Sequence, residues 1–140
     1  MDSLPGEDLR IKAEPENLLS VQTFLDDALR KSGFSSRQRQ LCAIAAEEAF
    51  INICSYAGTD DITVSVRSCT GGLQVAFADT GRPFNPLTEE TPDLTLPAHA
   101  RPVGGLGIHM IRSIADAVSY DHLHGINRLE LTFMRKEDLQ

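Results

Sequence analysis

The stretch Val103-Gly104-Gly105-Leu106-Gly107-Ile108 places three glycines directly before a segment with helical periodicity. Ile108, Ile111, Ile114 and Ala115 follow at the spacing of one helix face. A glycine-rich turn that leads into a helix N-terminus offers free backbone N–H groups and the positive end of the helix dipole, and both suit a phosphate. Because many glycine turns bind nothing, the interpretation depends on two earlier segments.

This glycine turn differs from the two best-known phosphate loops. No ordinary βαβ unit surrounds it, and a long connection from Pro83 to Pro102, rather than a strand, precedes it. No Lys-Ser or Lys-Thr pair follows the glycines, so the stretch is not a Walker A loop either. The connection contains five prolines and little periodicity, which is typical of a functional loop.

The first of the two earlier segments is a helix that we expect to begin after Ser35 or Ser36 and to end near Tyr56. From Leu41 to Ala57 nearly every residue is apolar or small. Such a pattern predicts a helix that is buried between layers. Its polar exceptions are Glu47, Glu48, Asn52 and Ser55.

Glu48 and Asn52 are four residues apart, so their side chains lie on one helix face about 5–6 Å apart. Glu48 is in line with Leu41, Ile44 and Ile51, which we interpret as a core stripe where an unpaired carboxylate is costly. Asn52 could supply a neutral oxygen ligand to Mg²⁺, and Glu48 could accept a proton. The alternative is structural, with Glu47 and Glu48 in salt bridges across a helix pair.

The second segment is Asp79-Thr80-Gly81-Arg82-Pro83-Phe84, which follows an expected strand over Leu73–Ala78. In a purely structural interpretation, Asp79 hydrogen-bonds its own backbone and Gly81 adopts a positive φ. In a functional one, the Asp79 carboxylate accepts a hydrogen bond from an exocyclic amine at the end of the sheet, and Gly81 lets a flat ring approach.

The remaining pattern predicts one domain over residues 1–140. Alternation indicates an edge strand at Leu9–Ala13 and a half-buried strand at Ile62–Val66, which a turn at Thr70–Gly72 joins to the next strand. An amphipathic helix follows Pro15 and ends at Gly33. Two further strands close the chain. We expect an α/β two-layer sandwich, with a mixed, mostly antiparallel sheet covered on one face by helices.

Composition excludes several classes of function. The net charge of −7, without any Lys/Arg cluster, argues against nucleic acid as a partner. No apolar run is long enough to span a membrane, and we expect no secretory signal because no charged-then-apolar pattern is seen near residue 1. The three cysteines form no CxxC pair and lie at no zinc-ligand spacing with the four histidines. We interpret them as small core residues in a reducing cytoplasm.

In this order, the three segments resemble the ATP-binding GHKL (Bergerat) fold of DNA gyrase, heat-shock protein 90, histidine kinases and MutL. The resemblance is closest to the anti-sigma-factor serine/threonine kinases, and it spans about Leu9 to Arg135. It implies that Glu48 is the catalytic base, that Asn52 binds Mg²⁺, and that Asp79 reads the adenine amine while Gly81 packs on the ring. It further implies phosphate contacts from the glycine stretch, at Gly104, Gly105, Leu106 and Gly107.

The resemblance also places an ATP lid at about Leu87 to Val103. Arg101, in this lid just before the glycines, could reach a phosphate; the alternative is an exposed loop charge. Two positions depart from the family pattern. Tyr56 stands where many of these kinases have His, and Asn127-Arg128 stands where the fold often has Gly-Thr near the adenine. The second departure makes adenine recognition depend more on Asp79.

The implied activity is transfer of phosphate from Mg-ATP to a serine. The implied partners are a sigma factor, which is sequestered, and an anti-sigma-factor antagonist, which is phosphorylated; a homodimer is compatible with this scheme. One alternative is a nucleotide-gated binding switch without significant kinase activity. Another is the ATPase domain of a histidine kinase, which is disfavoured because no phosphoacceptor helix precedes the first strand.

Overall fold

The computed structural model describes residues 6–83, 85 and 107–136. Five strands form one sheet in the order β1-β2-β3-β5-β4, and every neighbouring pair among them is antiparallel rather than mixed. The strands are β1 (Glu7–Lys12), β2 (Asp61–Cys69), β3 (Gly72–Asp79), β4 (Ala117–Leu123) and β5 (Ile126–Met134).

Two tight hairpins set the antiparallel pairing. Thr70 and Gly71 join β2 to β3, and Gly71 has a φ of +79°. His124 and Gly125 join β4 to β5, with φ values of +53° and +77°. Positive φ at turn positions matches the twist of the flanking strands, which is why glycine recurs there.

The helices follow the predicted boundaries closely. A short 3-10 turn at Pro15–Asn17 leads into α1 (Leu18–Lys31), and α2 (Ser36–Tyr56) and α3 (Gly107–Ile114) follow. Ser35 caps α2, since its hydroxyl oxygen accepts a hydrogen bond from the Gln38 N–H at 3.2 Å. In the part of the chain that the structure describes, no helix is both long and apolar enough to cross a bilayer.

The core lies between the three helices and one face of the sheet. Inward-facing strand residues alternate with residues on the opposite face, which no described helix covers. The largest fully buried side chains come from both layers: Phe50, Phe77, Leu29, Ile62, Leu73, Ile111, Leu131, Val21, Val64 and Val75. Burial of this kind is the main stabilising contribution to such a fold.

The three cysteines are free thiols within this packing. Cys42 is buried, and Cys54 and Cys69 are half-buried. Burial raises the pKa of the Cys42 thiol to about 12 and the pKa of the Cys54 thiol to about 11. Thiols with such pKa values stay protonated near neutral pH, so these two serve as small packing residues, as predicted.

The prediction that α2 is buried all round is wrong. Leu41 and Ile44 are 41% and 38% exposed. The buried face of α2 instead consists of small and apolar side chains at Cys42, Ala45, Ala46, Ala49, Phe50 and Ile53. Alanines at the contact let α1 and α3 approach closely, so neighbouring helices and the sheet cover one broad side and leave the Leu41–Ile44 side open.

Candidate active site

A narrow pocket lies between the C-terminal half of α2 and the adjoining ends of β3 and β5. Its volume is about 10 Å³, which is room for about one water molecule. Apolar side chains form its walls: Ala49, Ile53, Phe77 and Leu129. Its polar lining residues are Asn52, Asp79, Tyr120 and Asn127. Apolar walls with a few convergent polar groups are the usual composition of a small-molecule site.

A larger groove, with a volume of about 450 Å³, lies on the helix-free side of the sheet, beside Arg10, Thr63 and Ala78. It is a wide and mostly polar surface depression. We favour the smaller pocket because its apolar walls surround polar side chains, and among these Asn52 and Asp79 Oδ2 have no hydrogen-bond partner within the described residues.

Asp79, at the end of β3, supplies the first such group. Its side chain is only 5% exposed. Its Oδ1 atom accepts hydrogen bonds from the Gly81 N–H at 2.8 Å and from Asn127 Nδ2 at 3.0 Å. Its Oδ2 atom has no hydrogen bond within the described ranges. The turn expected from the sequence therefore exists, and one acceptor remains for a ligand.

Gly81 is required by close packing rather than by its φ, which is not positive. The expectation of a positive φ is therefore wrong. A Cβ atom at this position would lie 2.1 Å from the Ala57 carbonyl oxygen, well inside contact distance. The next residue fastens the same turn to the end of α2, because Arg82 donates from N to the Ala57 carbonyl and from Nε to the Tyr56 carbonyl, at 2.9 and 2.7 Å.

Asn52 supplies the second unsatisfied group. Only 4% of it is exposed, and its side chain makes no hydrogen bond to any described residue. Its amide atoms are not fully enclosed, because Ser32 Oγ is the one fully buried side-chain atom without a partner among the described residues. The Asn52 amide therefore opens onto the pocket, where a ligand could bind to it.

Glu48, one helical turn before Asn52, is half-buried rather than part of a core stripe, since its neighbours Leu41 and Ile44 are themselves exposed. Neither Glu48 nor Glu47 has an ion pair in the described part of the chain, so the predicted alternative of structural salt bridges is not observed. Burial raises the pKa of the Glu48 carboxyl, and the negative charge of Glu47 raises it further.

No group of three or more His, Cys, Asp or Glu residues that could hold a metal ion is present among the described residues. A metal at this pocket would therefore take most of its ligands from elsewhere. Mg²⁺ is commonly held in this way, by one or two protein oxygens together with substrate phosphates and water.

Comparison with known proteins gives the family. The sequence profile of the histidine kinase-like ATPase domain matches residues 11–133. The chain belongs to this family. The fold agrees, because the structure of the RsbU and RsbW domains of Rv1364c from Mycobacterium tuberculosis matches with a TM-score of 0.67 and 15% identity. The match covers 94% of this chain and 32% of that longer chain.

Two similar proteins with assigned names indicate which branch of this ATPase family the chain resembles. The serine-protein kinase RsbW of Bacillus mycoides is 24% identical over 147 residues, covering 100% of this chain and 92% of the relative. The serine/threonine-protein kinase BtrW of Bordetella bronchiseptica is 28% identical over 113 residues, covering 78% and 80% of the two chains. The predicted membership of the anti-sigma-factor kinase family is confirmed, and the relatives support a protein kinase that uses ATP.

Of the residues predicted from the sequence, Asn52 and Asp79 line this pocket together, and the Gly81 N–H donates to Asp79 Oδ1. Glu48 lies one helical turn before Asn52 on α2 and does not line the pocket. Gly107 begins α3, as the glycine stretch predicted. The predicted lid at 87–103 with Arg101, and the residues Gly104, Gly105 and Leu106, lie outside the described residues.

Sequence reasoning underestimated Asn127 and identified neither Tyr120, which lines the pocket, nor His122, which contacts Asn127 from an exposed position. Asn127 is 4% exposed and pairs directly with Asp79 across β3 and β5. A signal for it exists, because Asn127 begins the inward-facing alternation that Leu129 and Leu131 continue. A polar residue at an inward position near a site is a candidate for ligand recognition.

Proposed function

We propose that this protein is an ATP- and Mg²⁺-dependent serine kinase that acts as an anti-sigma regulator. It would sequester a sigma factor and phosphorylate a serine of an anti-sigma-factor antagonist. The observation that carries the proposal is the pocket in which Asn52 and Asp79 Oδ2 both lack partners, one helical turn from the unpaired carboxylate of Glu48. The kinase relatives and the family profile support it.

Adenine fits the chemistry of this pocket. The apolar walls offer contact to a flat ring, and Asp79 Oδ2 offers an acceptor that the exocyclic amine can satisfy. Guanine carries a carbonyl at the corresponding position, which would face the carboxylate oxygen without a hydrogen between them. The pocket should therefore prefer ATP over GTP.

The Mg²⁺ ion fits Asn52, whose buried amide provides a neutral oxygen on the same side of α2 as Glu48. When bound, Mg²⁺ would neutralise charge on the phosphates, which this acidic chain needs because its net charge is −7. Glu48 would accept the proton of the attacking serine hydroxyl. Positioning and electrostatics supply most of the catalysis in phosphoryl transfer, with a base at the nucleophile.

The proposal includes a cytoplasmic location, in keeping with three free cysteines, and a homodimer that only the family resemblance suggests. Light scattering of the purified protein tests whether it forms a homodimer.

Mass spectrometry of an antagonist that has been incubated with the kinase, ATP and Mg²⁺ tests the proposed function: we expect one phosphoserine. An unmodified antagonist would favour the nucleotide-gated binding switch.

We predict that Asn52→Ala abolishes the Mg²⁺-dependent part of nucleotide affinity. The parent should bind ATP about tenfold or more tightly with Mg²⁺ than with EDTA, and the variant should bind equally in both, because the protein ligand of the ion is gone. Calorimetry measures both constants. Ser55→Ala, an exposed position on the same helix, is the control and should keep the parental ratio. If Asn52→Ala keeps that ratio, Asn52 is a packing residue.

We predict that the phosphotransfer rate rises with pH through the raised pKa of Glu48. A base must be ionised, and a raised pKa moves the acidic limb of the rate profile above the value for an ordinary carboxyl. Glu47→Gln removes a neighbouring negative charge, so it should move this limb to lower pH. Glu130→Gln, on the helix-free face, is the charge-matched control and should not move it. An unshifted limb in Glu47→Gln would contradict the assignment to Glu48.

A further inference from the structure

Asn127 is the centre of a hydrogen-bond network that crosses three strands at the end of the pocket. Its register partners are Asp79 on β3 and His122 on β4. Its Nδ2 atom lies 3.0 Å from Asp79 Oδ1, 3.2 Å from the Gly81 carbonyl oxygen and 2.8 Å from the Arg82 carbonyl oxygen. Its Oδ1 atom accepts from the Tyr120 hydroxyl and lies 3.0 Å from His122 Nδ1.

The surroundings fix the orientation of the Asn127 amide. A carboxylate oxygen and two backbone carbonyl oxygens can only accept hydrogen bonds, so the NH₂ group must face Asp79 and the 81–82 turn. The amide oxygen must then face β4, where the Tyr120 hydroxyl donates to it. For the 3.0 Å contact to be a hydrogen bond, His122 must carry its hydrogen on Nδ1.

This orientation determines how Asp79 presents itself to the pocket. Two donors, the Gly81 N–H and Asn127 Nδ2, converge on Oδ1 and hold the carboxylate in one rotation. Oδ2 is the oxygen that remains for a ligand. Without Asn127, only the Gly81 N–H would hold the carboxylate, and the Gly81 and Arg82 carbonyls would lose the donor that ties their turn to β5.

We propose that Asn127 is a positioning residue that makes the pocket selective for a purine carrying an exocyclic amine. The inference rests on the proposed function and deepens it, because Asn127 acts on the base through Asp79. Tyr120 supports the same function from β4 by holding the amide oxygen. The network holds the Asp79 carboxylate in one orientation. A carboxylate that rotated freely would distinguish poorly between purines with and without an exocyclic amine.

The test compares two nucleotides that differ only in the amine, ATP and purine riboside triphosphate, by calorimetry on the full chain. The parent should bind ATP about tenfold or more tightly than the analogue, because a hydrogen bond to a carboxylate is lost. Asn127→Ser and Tyr120→Phe should each reduce this preference at least threefold. Arg128→Ala is the control, since Arg128 is next in sequence but faces the opposite side of the sheet, where it contacts Glu130.

A merely structural role would weaken both nucleotides by the same factor and leave their ratio at the parental value, and that result in both variants would overturn the inference. Tyr120→Phe retains the aromatic ring, so it keeps the test decisive if Asn127→Ser folds poorly. A parent that binds the two nucleotides equally would instead contradict the proposed role of Asp79 and, with it, this inference. The two failures are therefore distinguishable.

Discussion

Glu48→Gln is expected to lower the rate of phosphoryl transfer by about a hundredfold or more while ATP binding stays at the parental level. The substitution keeps the shape of the side chain and removes its basicity, and loss of a general base typically has an effect of this size. Single-turnover transfer from Mg-ATP to a serine-bearing antagonist measures the rate, and calorimetry measures nucleotide affinity. The variant should still sequester the sigma factor.

The unfolding temperature of Glu48→Gln provides a control for its folding. A carboxyl with a raised pKa in the folded protein adds stability only while it is protonated, and that contribution is lost as pH rises through the raised value. At neutral pH, Glu48→Gln should therefore unfold at the parental temperature or slightly above it. Glu47→Gln is the matched variant, and it should retain transfer at neutral pH. A parental transfer rate in Glu48→Gln would show that Glu48 is not the base.

Asp79→Asn is expected to weaken ATP binding by about 10- to 100-fold, the range for a lost hydrogen bond to a charged group. The asparagine can still accept at Oδ1 from Gly81 and Asn127, so its NH₂ group would replace Oδ2 and face the adenine amine, donor against donor. The same NH₂ group can donate to the guanine carbonyl. The affinity for ATP should therefore fall more than the affinity for GTP, and the preference for ATP over GTP should shrink.

Calorimetry with both nucleotides checks this expectation, and thermal unfolding shows whether the fold is intact. Asp61→Asn is the control, because Asp61 begins β2 and forms ion pairs with the exposed side chains of Arg10 and Lys12 on β1. That variant should bind ATP as the parent does. Unchanged ATP affinity in Asp79→Asn would remove Asp79 from the base-binding pocket.

Much of the fold is predictable because local rules decide it. Gly33, Ser35 and Gly71 each mark a boundary through a positive φ or a side-chain cap, and the structure has boundaries at all three. The exposure of Leu41 and Ile44 was not predictable in this way. Which side of an apolar helix is covered depends on where the other helices pack, and the sequence of α2 alone does not contain that information.

The candidate site likewise has one part that follows from local sequence and another that depends on tertiary contacts. Glu48 and Asn52 are linked by helix geometry, so their proximity follows from spacing alone. Asp79 and Asn127 are 48 residues apart and meet only because β3 pairs with β5 rather than with β4. The reason for Gly81 is likewise a tertiary contact, since its neighbour is the carbonyl of Ala57 at the end of α2.

Transfer of labelled phosphate from ATP to serine tests the central claim most directly. The purified protein is incubated with γ-labelled ATP, Mg²⁺ and the antagonist proteins of its own organism, and labelled phosphoserine is measured over time beside the Glu48→Gln variant. We predict that one antagonist becomes labelled by the parent, and at least a hundredfold more slowly by the variant. If the parent binds Mg-ATP but labels no antagonist, the protein is not a serine kinase, and nucleotide-gated binding is the better account of this pocket.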